Sequence, residues 1–161
     1  MSKVLVVMGS KSDKEVMKPC IETLKAAGVK VVTRVNSAHR ALKRLIEIID
    51  TTDADVIIAG AGLAAALPGD IAALTIKPVI GIPVESGALK GKDALLSIVQ
   101  APPGIPVNTV GIGMAKNAAI SAIQMLALKE PELQSYLLQQ KKSMLDGVIA
   151  ADDEISEEFN T

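Results

Sequence analysis

Five short apolar runs alternate along this chain with segments of helical period, and this alternation constrains the fold more than any other feature. The runs are KVLVVM (3–8), VKVVTRV (29–35), ADVIIAG (54–60), KPVIGIPV (77–84) and VNTVGIG (107–113). Most are continuous and rich in β-branched residues, which is typical of strands buried on both faces of a parallel sheet. Strand and helix alternation with short connections predicts an α/β fold, a three-layer, doubly wound parallel sheet.

Helical segments lie between and after these runs. We predict helices over 12–28, which opens on a Ser-Asp cap and stops at Gly28, and over 39–52, with Leu42, Leu45, Ile46 and Ile49 on one face. Further helices are predicted over 63–74, 92–99 and 115–128. Pro19 lies inside the first helix, where we expect a kink.

The last part of the chain contains no further strand. A chain of 161 residues suits a single domain, here 1–161, with an α/β core over 1–128 and a C-terminal helix within 129–161. This helix is long, amphipathic and acidic at its end. It either packs on a neighbouring subunit or folds back on its own domain.

Composition excludes several classes of protein. With 49% hydrophobic and 22% charged residues the chain is not disordered, and its apolar runs are too short to cross a membrane. The first apolar run leads directly into polar GSKSD, so it indicates a first strand rather than a signal peptide. We expect a soluble protein that does not associate with membranes.

Charge and aromatic content argue against nucleic-acid binding. The formal net charge is −1, and the basic residues are scattered among acidic ones. Tyr136 and Phe159 are the only aromatic residues, so no platform for base stacking exists.

The single cysteine indicates a reducing compartment. Cys20 lies four residues after Val16 and four before Leu24, a helical spacing that directs it into the core. A buried structural thiol is favoured over a reactive one, and the cytoplasm is the expected location.

Mean hydropathy is +0.37, high for a small soluble chain. Because small domains leave much of their surface exposed, the excess of aliphatic residues indicates that other subunits cover part of it, as in a homo-oligomer. A monomer with an unusually aliphatic core is the alternative.

In doubly wound folds the ligand lies beyond the carboxyl ends of the strands, so the loops after the strands are the candidate sites. After the first strand, MGSKSD offers the hydroxyls of Ser10 and Ser12 and the amides of a helix start, a cradle for phosphate. Asp13 can accept hydrogen bonds from sugar hydroxyls. Ordinary helix capping explains the same residues equally simply.

After the second strand, VNSAHR places Ser37, His39 and Arg40 at the same edge. Arginine is a fork of donors suited to phosphate, and an imidazole exchanges protons near neutral pH. A structural or capping histidine is the alternative.

After the third strand, AGAGLAAALPGD has glycines and alanines that leave room for a ligand, Gly60 and Gly62 among them. The spacing does not match a dinucleotide-binding fingerprint or a phosphate-binding P-loop. One histidine and one cysteine also exclude a histidine-rich metal site. The fourth loop, 83–107, is rich in Gly and Pro and either covers a site or forms an interface.

Taken in order, these strings resemble the PurE family, the N5-carboxyaminoimidazole ribonucleotide mutases of purine biosynthesis. The similarity runs from MGSKSD through SAHR, IIAGAG, LPG and PVIGIPV to ALLSIVQ, PPGIPV and NAA, over about residues 3–128. Several of the strings are specific to that family.

The resemblance implies a flavodoxin-like sheet, a homo-octamer in which the C-terminal helix reaches a neighbouring subunit, and a reaction without a cofactor or metal. It implies that a carboxylate moves from the exocyclic nitrogen of an aminoimidazole ribonucleotide to ring carbon C4. His39 would carry the proton, Ser10 and Arg40 would bind phosphate, and Asp13 would bind ribose. The supporting residues would be Ser12, Ser37, Gly60, Ala61, Gly62 and Leu67.

The chain departs from the family pattern at several positions. Ala66 stands where a histidine is usual, and Ala41 and Leu42 replace a threonine and a proline; the other departures are Asp70, Ala101 and Asn108. Because alanine cannot relay a proton or bind a carboxylate, a weakened or altered ribonucleotide-binding oligomer stays open as an alternative to an active mutase. The resemblance leaves a second alternative, the sister activity that carboxylates aminoimidazole ribonucleotide directly.

Overall fold

Successive residues of the central strands enter two separate cores, because neighbouring side chains of a strand point to opposite faces of the sheet. The computed structural model describes residues 1–160, which form five strands in one parallel sheet. The strands are β1 (Lys3–Met8), β2 (Lys30–Val35), β3 (Val56–Ala61), β4 (Val79–Pro83) and β5 (Asn108–Thr109). Their order, β2-β1-β3-β4-β5, is that of flavodoxin-like folds and confirms the predicted class.

Helices cover both faces of this sheet. They are α1 (Lys14–Ala26), α2 (Leu42–Thr51), α3 (Leu67–Leu74), α4 (Lys92–Val99), α5 (Ala115–Ala127) and α6 (Pro131–Phe159), with a 3-10 turn at Lys11–Asp13. Helices α1 and α5 pack with the start of α6 on one face, where α5 contributes mainly alanines. Helices α2, α3 and α4 pack on the other face.

The edges of the sheet differ from the continuous buried runs of its centre. Every residue of β3 and β4 is buried, whereas none of β2 is, because β2 is an edge strand. The fifth strand was predicted over 107–113, but only Asn108 and Thr109 pair as a strand. Residues 112 and 113 form a turn in which Gly113 has φ +70°, a left-handed conformation, so extended backbone does not reach the end of the predicted run, and the prediction was too long.

Two helices begin later than the sequence predicts. Residues 38–40 form a turn, so α2 starts at Leu42 and His39 lies in a loop rather than in the helix. Likewise α3 starts at Leu67 rather than at residue 63, because Leu63 has φ +56°, which no right-handed helix allows. Helix α1 runs through Pro19.

The C-terminal helix leaves the domain after its first turns. Leu133 is buried against α5, but every residue from 141 to 155 is exposed. None of the helices within residues 1–160 combines the length and the apolar character needed to cross a membrane.

Candidate functional site

The loops that follow the first four strands meet at the carboxyl edge of the sheet around a cavity of about 560 Å³. Such an edge is where ligands bind in open α/β sheets. The walls are formed by Gly9, Ser10, Ser12, Asp13, Ser37, Ala38, His39, Arg40, Ala61, Gly62, Leu63, Ala64, Ala65, Ala66, Leu67 and Ser86. Nine of the ten residues proposed from sequence therefore lie on one cavity, and Gly60 does not.

The first loop is held by a capping box. Ser10 Oγ accepts a hydrogen bond from the Ser12 amide at 3.3 Å, and Asp13 Oδ2 accepts one from the Ser10 amide at 2.9 Å. Ser12 Oγ lies 3.0 Å from Ser10 Oγ and 3.3 Å from Asp13 Oδ1. Asp13 is buried, so the capping role expected as the alternative is present, together with a place on the cavity wall.

The second loop carries the only imidazole of the chain. His39 and Arg40 are both exposed on the cavity side, in the turn between β2 and α2. Arg40 Nε donates a hydrogen bond to Ser37 Oγ at 3.2 Å. This bond uses only the Nε–H, so the terminal nitrogens of the guanidinium keep their donors for an anion.

The glycines of the third loop allow other side chains of the protein to approach the backbone closely. A Cβ on Gly60 would lie 2.3 Å from Met17 Sδ, and a Cβ on Gly62 would lie 2.4 Å from Ser86 Oγ. Gly60 is therefore required by the packing of α1 under β3, which explains its absence from the cavity wall. Gly62 lines the cavity because the fourth loop approaches it closely.

Ser86 is the residue of the cavity that sequence reasoning missed. Its Oγ accepts a hydrogen bond from the Leu63 amide at 3.2 Å, across 23 positions of sequence. That bond supports the left-handed backbone of Leu63, a conformation that non-glycine residues rarely adopt. The only sequence signal was the Gly- and Pro-rich character of the fourth loop, which was expected to cover a site or to form an interface.

The position of Ala66 bears on the chemistry available. Ala66 lines the cavity as the N-cap residue of α3, and its methyl group makes no capping hydrogen bond. Leu67, the first residue of α3, lies on the same wall and is buried. An imidazole at position 66 would face this cavity, so its replacement by alanine removes a titratable group from the site.

A second depression of the surface lies away from the residues proposed from sequence. This larger, open depression of about 1070 Å³ lies at the opposite edge, near Thr52, Lys77 and Asn108, and contains none of the residues proposed from sequence. Within residues 1–160, no group of three or more His, Cys, Asp and Glu side chains is placed to hold a metal ion.

Comparison with known proteins gives a consistent family. The model of the AIR carboxylase family matches residues 3–146. The N5-carboxyaminoimidazole ribonucleotide mutase of Methanocaldococcus jannaschii is 47% identical over 156 residues, covering 97% of this chain and 99% of its own. The protein of the same name from Pyrococcus abyssi is 52% identical over 147 residues, covering 89% and 84%.

A solved structure agrees in fold. The crystal structure of Treponema denticola PurE superposes with a TM-score of 0.87 at 24% identity, over the full length of both chains. At that identity the likeness concerns the path of the chain and not the reaction.

Proposed function

The chain belongs to the AIR carboxylase family, and on that premise we propose that it is an N5-carboxyaminoimidazole ribonucleotide mutase of purine biosynthesis. It moves a carboxylate from the exocyclic nitrogen of the substrate to ring carbon C4. The observation that carries the proposal is the cavity itself, which has hydroxyls and an arginine suited to phosphate beside the only imidazole of the chain.

Binding of the ribonucleotide uses the first two loops. Arg40 and Ser10 hold the phosphate, since a guanidinium and a hydroxyl at a helix start are anion donors. Asp13 accepts hydrogen bonds from the ribose hydroxyls. A carboxylate has about four acceptor positions, so its bonds to Ser10 and Ser12 leave capacity for the sugar. Ser12 and Ser37 support these groups.

His39 carries the proton that the reaction displaces. The bond between the exocyclic nitrogen and the carboxylate carbon breaks, carbon dioxide stays in the cavity, and a bond from C4 to that carbon forms. The imidazole takes the proton from C4 and delivers a proton to the exocyclic nitrogen, so that atoms and charge balance over the reaction. Ala61, Gly62 and Leu67 shape the carboxylate pocket, with Gly60 supporting from beneath.

Ala66 favours a second candidate, a weakened or altered enzyme that still binds ribonucleotide. Direct carboxylation of aminoimidazole ribonucleotide is a third, because the family model is described by that reaction. All three use the same ribonucleotide site, but they differ in the substrate that is turned over or in the rate of turnover.

One set of assays separates the three. Purified protein is assayed with each ribonucleotide, with and without bicarbonate, beside His39→Asn. Turnover of the carboxylated substrate without bicarbonate, lost in His39→Asn, is the result expected of a mutase. Turnover only of aminoimidazole ribonucleotide with bicarbonate identifies the direct carboxylase, and ribonucleotide binding without turnover identifies the weakened form.

Ala66→His measures the contribution of the missing imidazole. We expect turnover about 100-fold or more higher, since one positioned acid or base typically contributes on the order of 10²–10⁴-fold. Ala64→His adds an imidazole two residues away on the same cavity wall and is the matched control. Equal turnover of Ala66→His and the parent would shift attention to Ala41, Leu42 and Ala101.

We further propose that the protein acts in the cytoplasm as a homo-octamer. The exposed distal part of α6, which follows the α/β core of 1–128, supports contact with a neighbouring subunit. In this arrangement 1–161 is one domain whose last helix is completed by another copy.

A further inference from the structure

Asn36 is a buried amide directly beneath the loop that carries His39 and Arg40. It is 2% exposed, although it follows the exposed edge strand β2. Its own amide N–H donates to Met8 O at 2.9 Å, which continues the pairing of β2 with β1 by one residue. Asn36 does not line the cavity, so it touches no ligand there.

The side-chain amide of Asn36 holds both ends of that loop. Nδ2 donates to Ser37 O at 3.4 Å and to Ala41 O at 3.2 Å, the carbonyls that flank residues 38–40. The Ala41 amide also donates to Ser37 O, at 2.9 Å, and closes the same turn. One buried side chain therefore fixes the backbone from which the imidazole and the guanidinium project.

Among the described residues, no side chain caps the helix at the far end of the loop. Ala41 is the N-cap residue of α2, and it has no side-chain oxygen to bind the first amides of the helix. Leu42, the first helical residue, is half exposed. Asn36 Nδ2 instead donates to the carbonyl of this N-cap residue, and so it ties the start of α2 to the end of β2.

Asn36 is also a costly residue for stability alone. Within residues 1–160, its buried Oδ1 has no hydrogen-bond partner. A reversed amide would place Oδ1 against two carbonyl oxygens, so the orientation is determined. An apolar side chain of similar shape would avoid the unpaired acceptor, which indicates that the two donated bonds are what the site requires.

We propose that Asn36 is a positioning residue of the ribonucleotide site, acting through the backbone of 37–41 on His39 and Arg40. The identity of the ligand rests on the proposed function, whereas the hydrogen bonds of Asn36 do not depend on it. It predicts that loss of the two donated bonds weakens ribonucleotide binding and alters the environment of the imidazole while the fold persists.

The test compares Asn36→Leu with Asn108→Leu. Asn108 is the matched control, because its Nδ2 also donates to a backbone carbonyl, Val79 O at 3.2 Å, but at the opposite edge of the sheet. Two readouts are taken at a temperature well below melting. One is the affinity for aminoimidazole ribonucleotide by calorimetry. The other is the nuclear magnetic resonance titration of His39, which is free of overlap because the chain has one histidine.

For Asn36→Leu we expect an affinity about 10-fold lower, as for loss of a pre-organised contact, and a displaced His39 titration curve. Asn108→Leu should leave both unchanged. The proposal would be overturned if a folded Asn36→Leu had the affinity and the His39 titration curve of the parent. It would also be overturned if Asn108→Leu showed the same changes as Asn36→Leu.

A second variant keeps the result decisive. Asn36→Ala also removes the donors and adds no charge near His39, and it replaces Asn36→Leu should that variant not fold; the same outcomes apply to it. If the parent binds no ribonucleotide, the proposed function fails. The His39 titration then decides the positioning role by itself, since it needs no ligand.

Discussion

At the scale of single residues, Arg40 is tethered without being neutralised. Its Nε donates to Ser37 Oγ, and this holds the planar guanidinium at the cavity while its terminal nitrogens stay available. We expect Arg40→Ala to weaken ribonucleotide binding by about 10-fold or more, because a charge-assisted pair to phosphate is lost. Calorimetric titration measures the change.

Arg34→Ala is the control for this prediction. Arg34 is an exposed arginine of β2 whose Nη1 donates to Thr33 O at 3.2 Å, away from the cavity. Its loss should leave affinity as it is. Equal affinities for Arg40→Ala and the parent would remove Arg40 from the site.

Cys20 makes stability depend on pH in the alkaline range. Cys20 lies on the buried face of α1, and this burial raises the pKa of its thiol from the ordinary value of 9.0 to about 12. Above pH 9 the unfolded chain therefore loses this proton while the native chain keeps it, so stability falls as pH rises from 9 to 12. The slope from this group reaches about 1.4 kcal/mol per pH unit.

Urea unfolding of the parent and Cys20→Ala at pH 8, 9.5 and 10.5 isolates this effect. Other groups titrate alike in both proteins, so the difference between the two stabilities should shrink as pH rises. A difference that is constant with pH would show that the thiol ionises equally in both states.

At the scale of elements, two glycine substitutions should change stability in opposite directions. A Cβ on either Gly147 or Gly28 would meet nothing within 4 Å. Gly147 lies inside α6, where alanine has the higher helix propensity. Gly28 follows α1 with φ +79°, where alanine is strained. We expect Gly147→Ala to stabilise and Gly28→Ala to destabilise, each by about 1 kcal/mol.

Hydrogen exchange of amides 141–159 reports the first change, and urea unfolding reports the second. Effects of the same sign would contradict the conformational explanation, since steric contact is absent at both positions within the part of the chain that the structure describes.

The elements also show what sequence alone can predict here. Strands β1 to β4 were predicted to within two residues at each end, because continuous β-branched runs leave little choice of structure. The start of α3 was misplaced, because the bond from Leu63 to Ser86 comes from a loop distant in sequence and leaves no local pattern. The same bond explains why Ser86 was missed from the site.

The grouping of the loop residues around one cavity was predictable for a related reason. Residues such as Ser10, His39 and Gly62 were placed together because the carboxyl ends of parallel strands share one edge, which topology alone determines. Gly60 was included by the same rule, but it serves the packing of Met17. Whether a glycine makes room for a ligand or for the protein depends on side chains that a strand pattern does not reveal.

At the scale of the whole molecule, α6 presents an apolar surface that its own domain does not cover. Seven side chains of this surface are half or more exposed: Leu138, Met144, Leu145, Val148, Ile149, Ile155 and Phe159. At about 100° per residue they fall within an arc of about 140° on one side of the helix. A surface of this width is typical of a helix that packs against another protein chain.

We expect Val148→Asp to shift the protein toward smaller assemblies, because a charge would be buried at the subunit contact. Light scattering with size-exclusion chromatography measures the mass. Ser143→Asp places the same charge on the opposite side of α6 and should leave the mass unchanged. A parent that is monomeric at all concentrations would contradict the proposed octamer.

Because the end of α6 is exposed, we expect the helix content of this protein to depend on the protein concentration. Residues 141–155 have no buried contact with their own domain, and a helix of that length is only marginally stable alone in water. In the proposed oligomer, formation of this helical segment is coupled to the association of subunits, whereas the parallel sheet forms within a single chain. On dilution the helical signal should fall while the sheet persists, so that the folding of the last helix obeys mass action.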